Sequence, residues 1–162
     1  MELSDIFHRL LYPKAPIVAN GHFQSKHGGS FIAKCYLPFI GIPHYDSKTP
    51  FNLNISETSK AQKWMRNFNG KTFSTWVRLT GDEVIESRGP VRFHFSLLEQ
   101  APGKLEYRFK KLFLFGIRLP LFLSIRASAV CERISSNEWR FEVNTTTAGG
   151  RLIVKYWGQA AL

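Results

Sequence analysis

From Pro50 onward, apolar and polar residues alternate with a period of two. Phe51, Leu53 and Ile55 alternate with Asn52, Asn54 and Ser56, and Phe73, Thr75, Val77 and Leu79 with Ser74, Trp76 and Arg78. The same rhythm recurs at Val91–Leu97, Leu105–Phe109, Ile125–Cys131, Trp139–Val143 and Leu152–Tyr156. A period of two puts alternate side chains on opposite faces of a strand, so each run predicts a strand with one buried face. Turn pairs separate the runs: Asn69-Gly70, Gly81-Asp82, Gly89-Pro90, Pro102-Gly103, Ser136-Asn137 and Gly149-Gly150. The pattern predicts a mainly β fold: one antiparallel meander of about 8–10 strands. So many strands tend to curve or close into a barrel, because closure removes the sheet edges. The apolar phase predicts that Phe73, Val77, Phe93, Phe95, Tyr107, Phe109, Ile125, Ala129, Phe141 and Val154 point inward.

The first 45 residues read differently. LSDIFHRLLY (3–12) predicts a short helix with Ser4 as cap, Ile6, Leu10 and Leu11 on one face, and Pro13 ending it. Residues 16–25 read as a first strand. A second short helix is expected from about Ser30 to Leu37, stopped by Pro38. The whole chain, 1–162, reads as a single domain, with a helical and strand part over 1–45 and antiparallel strands over 46–162.

One stretch breaks the alternation: KKLFLFGIRLPLFLSI, residues 110–125. It is shorter than the about 20 apolar residues a spanning helix needs, and Gly116, Arg118 and Pro120 interrupt it. It reads as the end of one strand, a corner at Gly116–Pro120, and a new strand from Leu121.

The chain carries 22 Lys and Arg against 12 Asp and Glu, a formal charge of +10, which favours anionic partners. The basic residues are scattered, with no tail or block. Two cysteines far apart, Cys35 and Cys131, make no disulfide framework or CxxC. The N-terminus has acidic residues and no apolar h-region, which predicts a cytoplasmic protein.

Several short motifs occur in a familiar order: Trp64-Met65-Arg66-Asn67-Phe68-Asn69-Gly70 with Phe73-Ser74; Ile85-Glu86 with Gly89-Pro90-Val91-Arg92-Phe93; Leu114–Pro120; Glu132; Arg140–Val143; and Gly149–Gly158. Together they resemble the bacterial domain-of-unknown-function family 4166 (DUF4166), from about residue 16 to the end. The resemblance implies a fold and neighbours rather than a reaction. Family members stand alone or are fused to short-chain or saccharopine-type dehydrogenases, so it implies a dehydrogenase-type partner. This sequence itself has no GxGxxG.

Candidate chemistry is sparse. His8, His22, His27, His44 and His94 match no standard zinc spacing, so no metal and no cofactor are expected. There is no GxSxG and no P-loop, and Cys131 continues the small apolar face of Ala127 and Ala129. Arg66, Arg78, Glu86, Arg88, Arg92, Arg108, Arg126, Glu132, Arg140 and Glu142 are expected on one face, either wet and ion-paired or lining the mouth of a cavity. Arg66, Glu86, Arg92 and Glu132 also fall in the family-like motifs and are the first candidates to orient a ligand. Leu37–Pro43 and Phe115–Pro120 are two apolar corners beside Lys34, Lys110, Lys111 and Arg118. They predict a plug, a portal or a membrane-touching rim near one end, with Phe39, Phe115 and Arg118 as contact residues.

The reading that follows is binding of a small hydrophobic or lipid-like ligand in a barrel cavity, with the chain cytoplasmic or peripheral to a membrane. The alternative is an isomerase, cyclase or hydrolase acting on such a ligand in the same cavity. A nucleic-acid or protein interaction module is a second alternative. Against nucleic acid, the aromatics lie mostly on the apolar phase and no RNA-binding motif occurs.

Overall fold

The computed structural model describes residues 5–58 and 61–162, with Phe39 described by its backbone alone. Helix α1 (Asp5–Leu11) leads into β1 (Ile17–His27) and α2 (Phe31–Ile40). Then come β2 (Tyr45–Glu57), β3 (Gln62–Phe68), β4 (Lys71–Thr80), β5 (Glu83–Arg88), β6 (Val91–Ala101), β7 (Lys104–Leu114), β8 (Ile117–Arg118), β9 (Arg126–Arg133), β10 (Glu138–Thr146) and β11 (Leu152–Ala161). Ten of the strands form a closed antiparallel meander. Each pairs with the next in sequence, β7 passes over the two-residue β8 to pair with β9, and β11 returns to β1. The expected mainly β, barrel-like architecture with two short helices is therefore the observed one.

Two strands, β3 and β5, are missing from the alternation read off the sequence. In β3, Gln62, Trp64, Arg66 and Phe68 share the inner phase while the apolar Met65 is exposed outside. In β5, Val84 shares its inner phase with Glu86 and Arg88. Charged residues on the inside and an apolar one on the outside erase the contrast on which the pattern depends.

The seam between β1 and β11 closes the ring. Phe23 faces Gly158, and Gly21 faces Ala160. A Cβ on Gly158 would lie 2.1 Å from the His22 carbonyl oxygen, and one on Gly21 would lie 1.9 Å from that of Gln159. The strands bend so sharply here that only hydrogen fits between the backbones.

The two helices occupy opposite ends, because α1 precedes β1 and α2 follows it. Helix α1 buries Ile6, Phe7, Leu10 and Leu11 in the barrel core. Gln62 holds it there, donating from Nε2 to the Leu11 carbonyl at 2.5 Å. Ser4, the expected cap, lies outside the described residues. Helix α2 starts at Ser30, whose hydroxyl accepts from the Ala33 N–H at 3.1 Å. It does not stop at Pro38 as expected. Proline removes one N–H bond and crowds the carbonyl four residues back, yet the helix continues through it to Ile40 before Gly41, at φ +72°, ends it. Arg88 Nη1 donates to the Ile40 carbonyl at 2.9 Å and ties the helix end to β5.

The apolar run over 110–125 also departs from expectation. Phe115-Gly116 turns β7 into β8, residues 119–125 form a loop, and the next strand starts at Arg126 rather than Leu121. Of the ten residues expected inward, none is exposed. Phe109 packs in a second cluster with Ala33, Leu112, Ile125 and Ile153, and the others line the cavity or the main core.

Gly158→Ala therefore pushes a methyl into the closing seam. We expect a loss of more than about 2 kcal/mol of stability, at the upper end of single-residue backbone effects. Urea unfolding followed by circular dichroism measures it, and a loss under 0.5 kcal/mol would show that the seam tolerates a side chain.

Candidate functional site

The barrel is hollow. A cavity of about 840 Å³ runs from Phe7, Leu10 and Leu11 of α1 to Tyr36, Pro38 and Ile40 of α2. Its wall is mostly aliphatic and aromatic. At the α2 end it is bordered by Gly89-Pro90 and by Leu114, Phe115 and Leu119. The two apolar corners lie near one another: Leu37, Ile40 and Leu119 share one apolar cluster, and Pro38, Ile40, Phe115 and Leu119 all border the cavity.

A compact polar group interrupts the apolar wall. Arg66 Nη2 lies 3.0 Å from Glu86 Oε1, with both side chains largely withdrawn from solvent. Thr75 bridges them: Arg66 Nη1 donates to Thr75 Oγ1 at 2.9 Å, and the Thr75 hydroxyl donates to Glu86 Oε1 at 2.7 Å. The three residues sit on neighbouring strands β3, β4 and β5, which brings them together on the inner face. The Arg66 guanidinium also lies over the Trp64 and Phe73 rings, at 5.3 and 5.7 Å from their centroids. Burial works against the charged guanidinium, but Glu86 outweighs it and raises the pKa of Arg66.

Tyr107 on β7 and Tyr156 on β11 face this group from the opposite wall, together with Cys131 on β9. The accessible surface of both tyrosines lines the cavity. Burial drives the Tyr107 phenol well above its usual pKa and pushes Tyr156 up to about 12, the latter against the pull of Arg66. Both are neutral O–H groups at physiological pH. Burial likewise pushes the Cys131 thiol up to about 12, so it is no thiolate nucleophile.

The ten charged residues expected on one face divide between two. Arg66, Glu86 and Arg88 point into the barrel. Arg88 sits at the α2 end with its guanidinium 4.3 Å above the Phe73 ring, and burial lowers its pKa. Arg78, Arg92, Arg108, Arg126 and Arg140 are exposed outside. Glu132 and Glu142 are outside too: Glu132 Oε2 accepts from Arg140 Nε at 3.0 Å, and Glu142 Oε1 lies 2.9 Å from Lys155 Nζ. Of the candidate ligand residues, Arg66 and Glu86 thus come together in the cavity, while Arg92 and Glu132 do not reach it. Phe115 lines its mouth. Arg118 lies outside on β8, and the Phe39 side chain lies outside the described residues. The alternation marks Thr75, Tyr107 and Tyr156 as strand residues, Tyr107 among those pointing inward, and does not single them out as site residues. Their signal was a hydroxyl on the apolar phase.

The family profile described as a domain of unknown function (DUF4166) matches residues 2–159. The chain belongs to the DUF4166 family. Among solved structures, this DUF4166 domain is similar to a protein of unknown function from the DUF3598 family of Nostoc punctiforme PCC 73102, with a TM-score of 0.57 at 10% identity. The match covers 89% of this chain and 46% of that protein, and it shows a shared fold. The chain thus spans less than half of that protein's length. No curated protein matches the sequence. Among the described residues, no helix is long and apolar enough to cross a membrane.

The two thiols are expected to separate cleanly. Cys35 is exposed on α2 and Cys131 is enclosed in the barrel. A thiol reagent such as dithionitrobenzoate at pH 8 should label one cysteine in the folded DUF4166 domain and two in denaturant. Fast labelling of both without denaturant would mean that the cavity opens freely.

Proposed function

We propose that this DUF4166 domain binds a small hydrophobic or lipid-like ligand inside its barrel and takes it up at the surface of an anionic membrane. The observation that carries the reading is the cavity, of about 840 Å³, walled by apolar side chains around one polar group. That size and lining match what a small-molecule site needs: apolar area for affinity and a few fixed polar atoms for orientation.

The mouth supports the membrane part. Phe115, Phe122 and Ile117 are 78, 76 and 71% exposed, and Leu121 and Leu123 are exposed in the same turn-and-loop segment. Leaving such side chains in water forgoes roughly 1.5–3 kcal/mol each. From Arg108 to Arg126 the chain has five basic residues and no acidic one; Arg108 pairs with Glu106 and Lys111 with Glu83, so the attraction rests on Lys110, Arg118 and Arg126. Each basic group near an anionic bilayer adds about 1 kcal/mol of attraction.

Phe115 carries a second cost. Both Asn69-Gly70 and Phe115-Gly116 turn with positive φ, at 50° and 88° and at 51° and 81°. Asparagine tolerates that conformation, whereas a bulky aromatic is strained there by about 1 kcal/mol. A residue that is both strained and exposed is what a contact tip for a bilayer would look like.

A catalytic reading also has a specific support: Glu86, Tyr107 and Tyr156 line the same cavity, close enough for the carboxylate to act electrostatically on both phenols. Isomerase or cyclase chemistry would use such a group on the same class of ligand. Chemical change of the bound molecule over time separates an enzyme from a carrier.

The experiments are native mass spectrometry of protein from its own host and titration with an uncharged hydrophobic dye. Ala129→Trp, which puts an indole into the cavity, should weaken saturable dye binding without unfolding the barrel. Undiminished binding in that variant would sink the cavity reading. Phe115→Asn should stabilise the free protein by about 0.5–1 kcal/mol and weaken co-sedimentation with phosphatidylserine vesicles about tenfold. Unchanged sedimentation would remove the membrane part.

A further inference from the structure

Resting on the cavity reading, we infer that the polar centre of the barrel receives an uncharged oxygen function of the ligand, a carbonyl or hydroxyl, through Tyr107 and Tyr156, and disfavours carboxylates. An arginine inside an apolar barrel would ordinarily suggest a carboxylate site, because the bidentate pair is geometrically favourable. Here that position is taken. Glu86 already faces Arg66 at 3.0 Å, and Thr75 ties the two by hydrogen bonds of 2.9 and 2.7 Å. The pair sums to zero charge. A second carboxylate would enter beside Glu86, while the other inward cation, Arg88, is held at the α2 end by the Ile40 carbonyl and the Phe73 ring; a buried charge without a partner is strongly disfavoured.

The tyrosines supply what the ion pair does not. Among the described residues, no hydrogen bond from a protein group reaches the Tyr107 or Tyr156 hydroxyl. Their rings are fixed by edge contacts, Tyr107 with Phe95 at 6.2 Å, and Tyr156 with Phe68 at 6.0 Å and Phe141 at 6.2 Å. The phenols thus hold two neutral O–H groups at the cavity surface in preset orientations. A carbonyl oxygen accepts from both, and an alcohol accepts from one while donating to the other or to Glu86. Glu86 adds an acceptor, since Arg66 and Thr75 both contact its Oε1. Buried hydroxyls left without partners discriminate strongly against a ligand that offers none. The remaining wall asks only for hydrocarbon.

The test is a matched series displacing N-phenyl-1-naphthylamine, an uncharged dye, from the full chain at pH 7.4. Its members are an alkane, a primary alcohol, a methyl ketone and a carboxylic acid of one chain length. The ketone or alcohol should bind about tenfold tighter than the alkane, the scale of one or two well-made hydrogen bonds, and the acid should bind more weakly than either. Tyr107→Phe and Tyr156→Phe should each shrink the ketone preference while leaving alkane affinity unchanged. Glu86→Gln should leave Arg66 as an unbalanced cation and shift preference toward the acid. If that variant does not fold, the tyrosine variants and the native series still decide. Strongest binding of the acid by the native protein, or a ketone preference unmoved in both tyrosine variants, overturns the inference. Equal binding of all four overturns it while leaving the cavity reading intact. Displacement by none of them overturns the cavity reading as well.

Discussion

Ring closure through β1 and β11 is the constraint on which this domain depends. Without that seam, two long strands would expose unpaired backbone groups, and the interior would be a wet, concave sheet. Closure brings the backbones together at Gly21 and Gly158, where the distances leave no room for a side chain. It also sets the width. Eight strands can be filled by their own side chains, but ten enclose more space than the inward residues occupy. The cavity is thus a geometric consequence of strand number, with α1 packed into one end and α2 lying at the other.

A hollow interior changes the balance for polar groups. In a filled core, Arg66 and Glu86 would each require full compensation from packed neighbours. Here they compensate one another through Thr75, and the cavity leaves two phenols facing them across open space. Low polarity around the tyrosines and the thiol keeps all three protonated. The result is a neutral, hydrogen-bonding centre inside an apolar envelope. Burial and pairing, rather than residue identity alone, define it.

At the mouth the same physics runs in reverse. Phe115, Ile117 and Phe122 remain in water, although the cavity that Phe115 borders is apolar. The Phe115-Gly116 turn adopts a conformation that Asn69-Gly70 reaches without strain. An aromatic at that position adds exposure to strain, and the basic residues flanking it set the sign of the surface it would favour.

Backbone periodicity is a local property, so the alternating runs determined most of the strands, the antiparallel meander and the inward phase without reference to any partner. Turn chemistry located the hairpins for the same reason. The two strands the pattern did not reveal, β3 and β5, are the ones that carry Arg66 and Glu86: a charge on the inner phase removes the contrast that marks a strand. Which charges face inward depends on the pairing of strands distant in sequence, and so Arg92 and Glu132 went to the outside while Thr75 joined the centre. Tyr107 and Tyr156 lie 49 positions apart in the chain and line one cavity only because the ring closes. The sequence by itself determined the local alternation; only the closed barrel decided which polar groups would share an enclosed space, because that depends on register and curvature summed over ten strands.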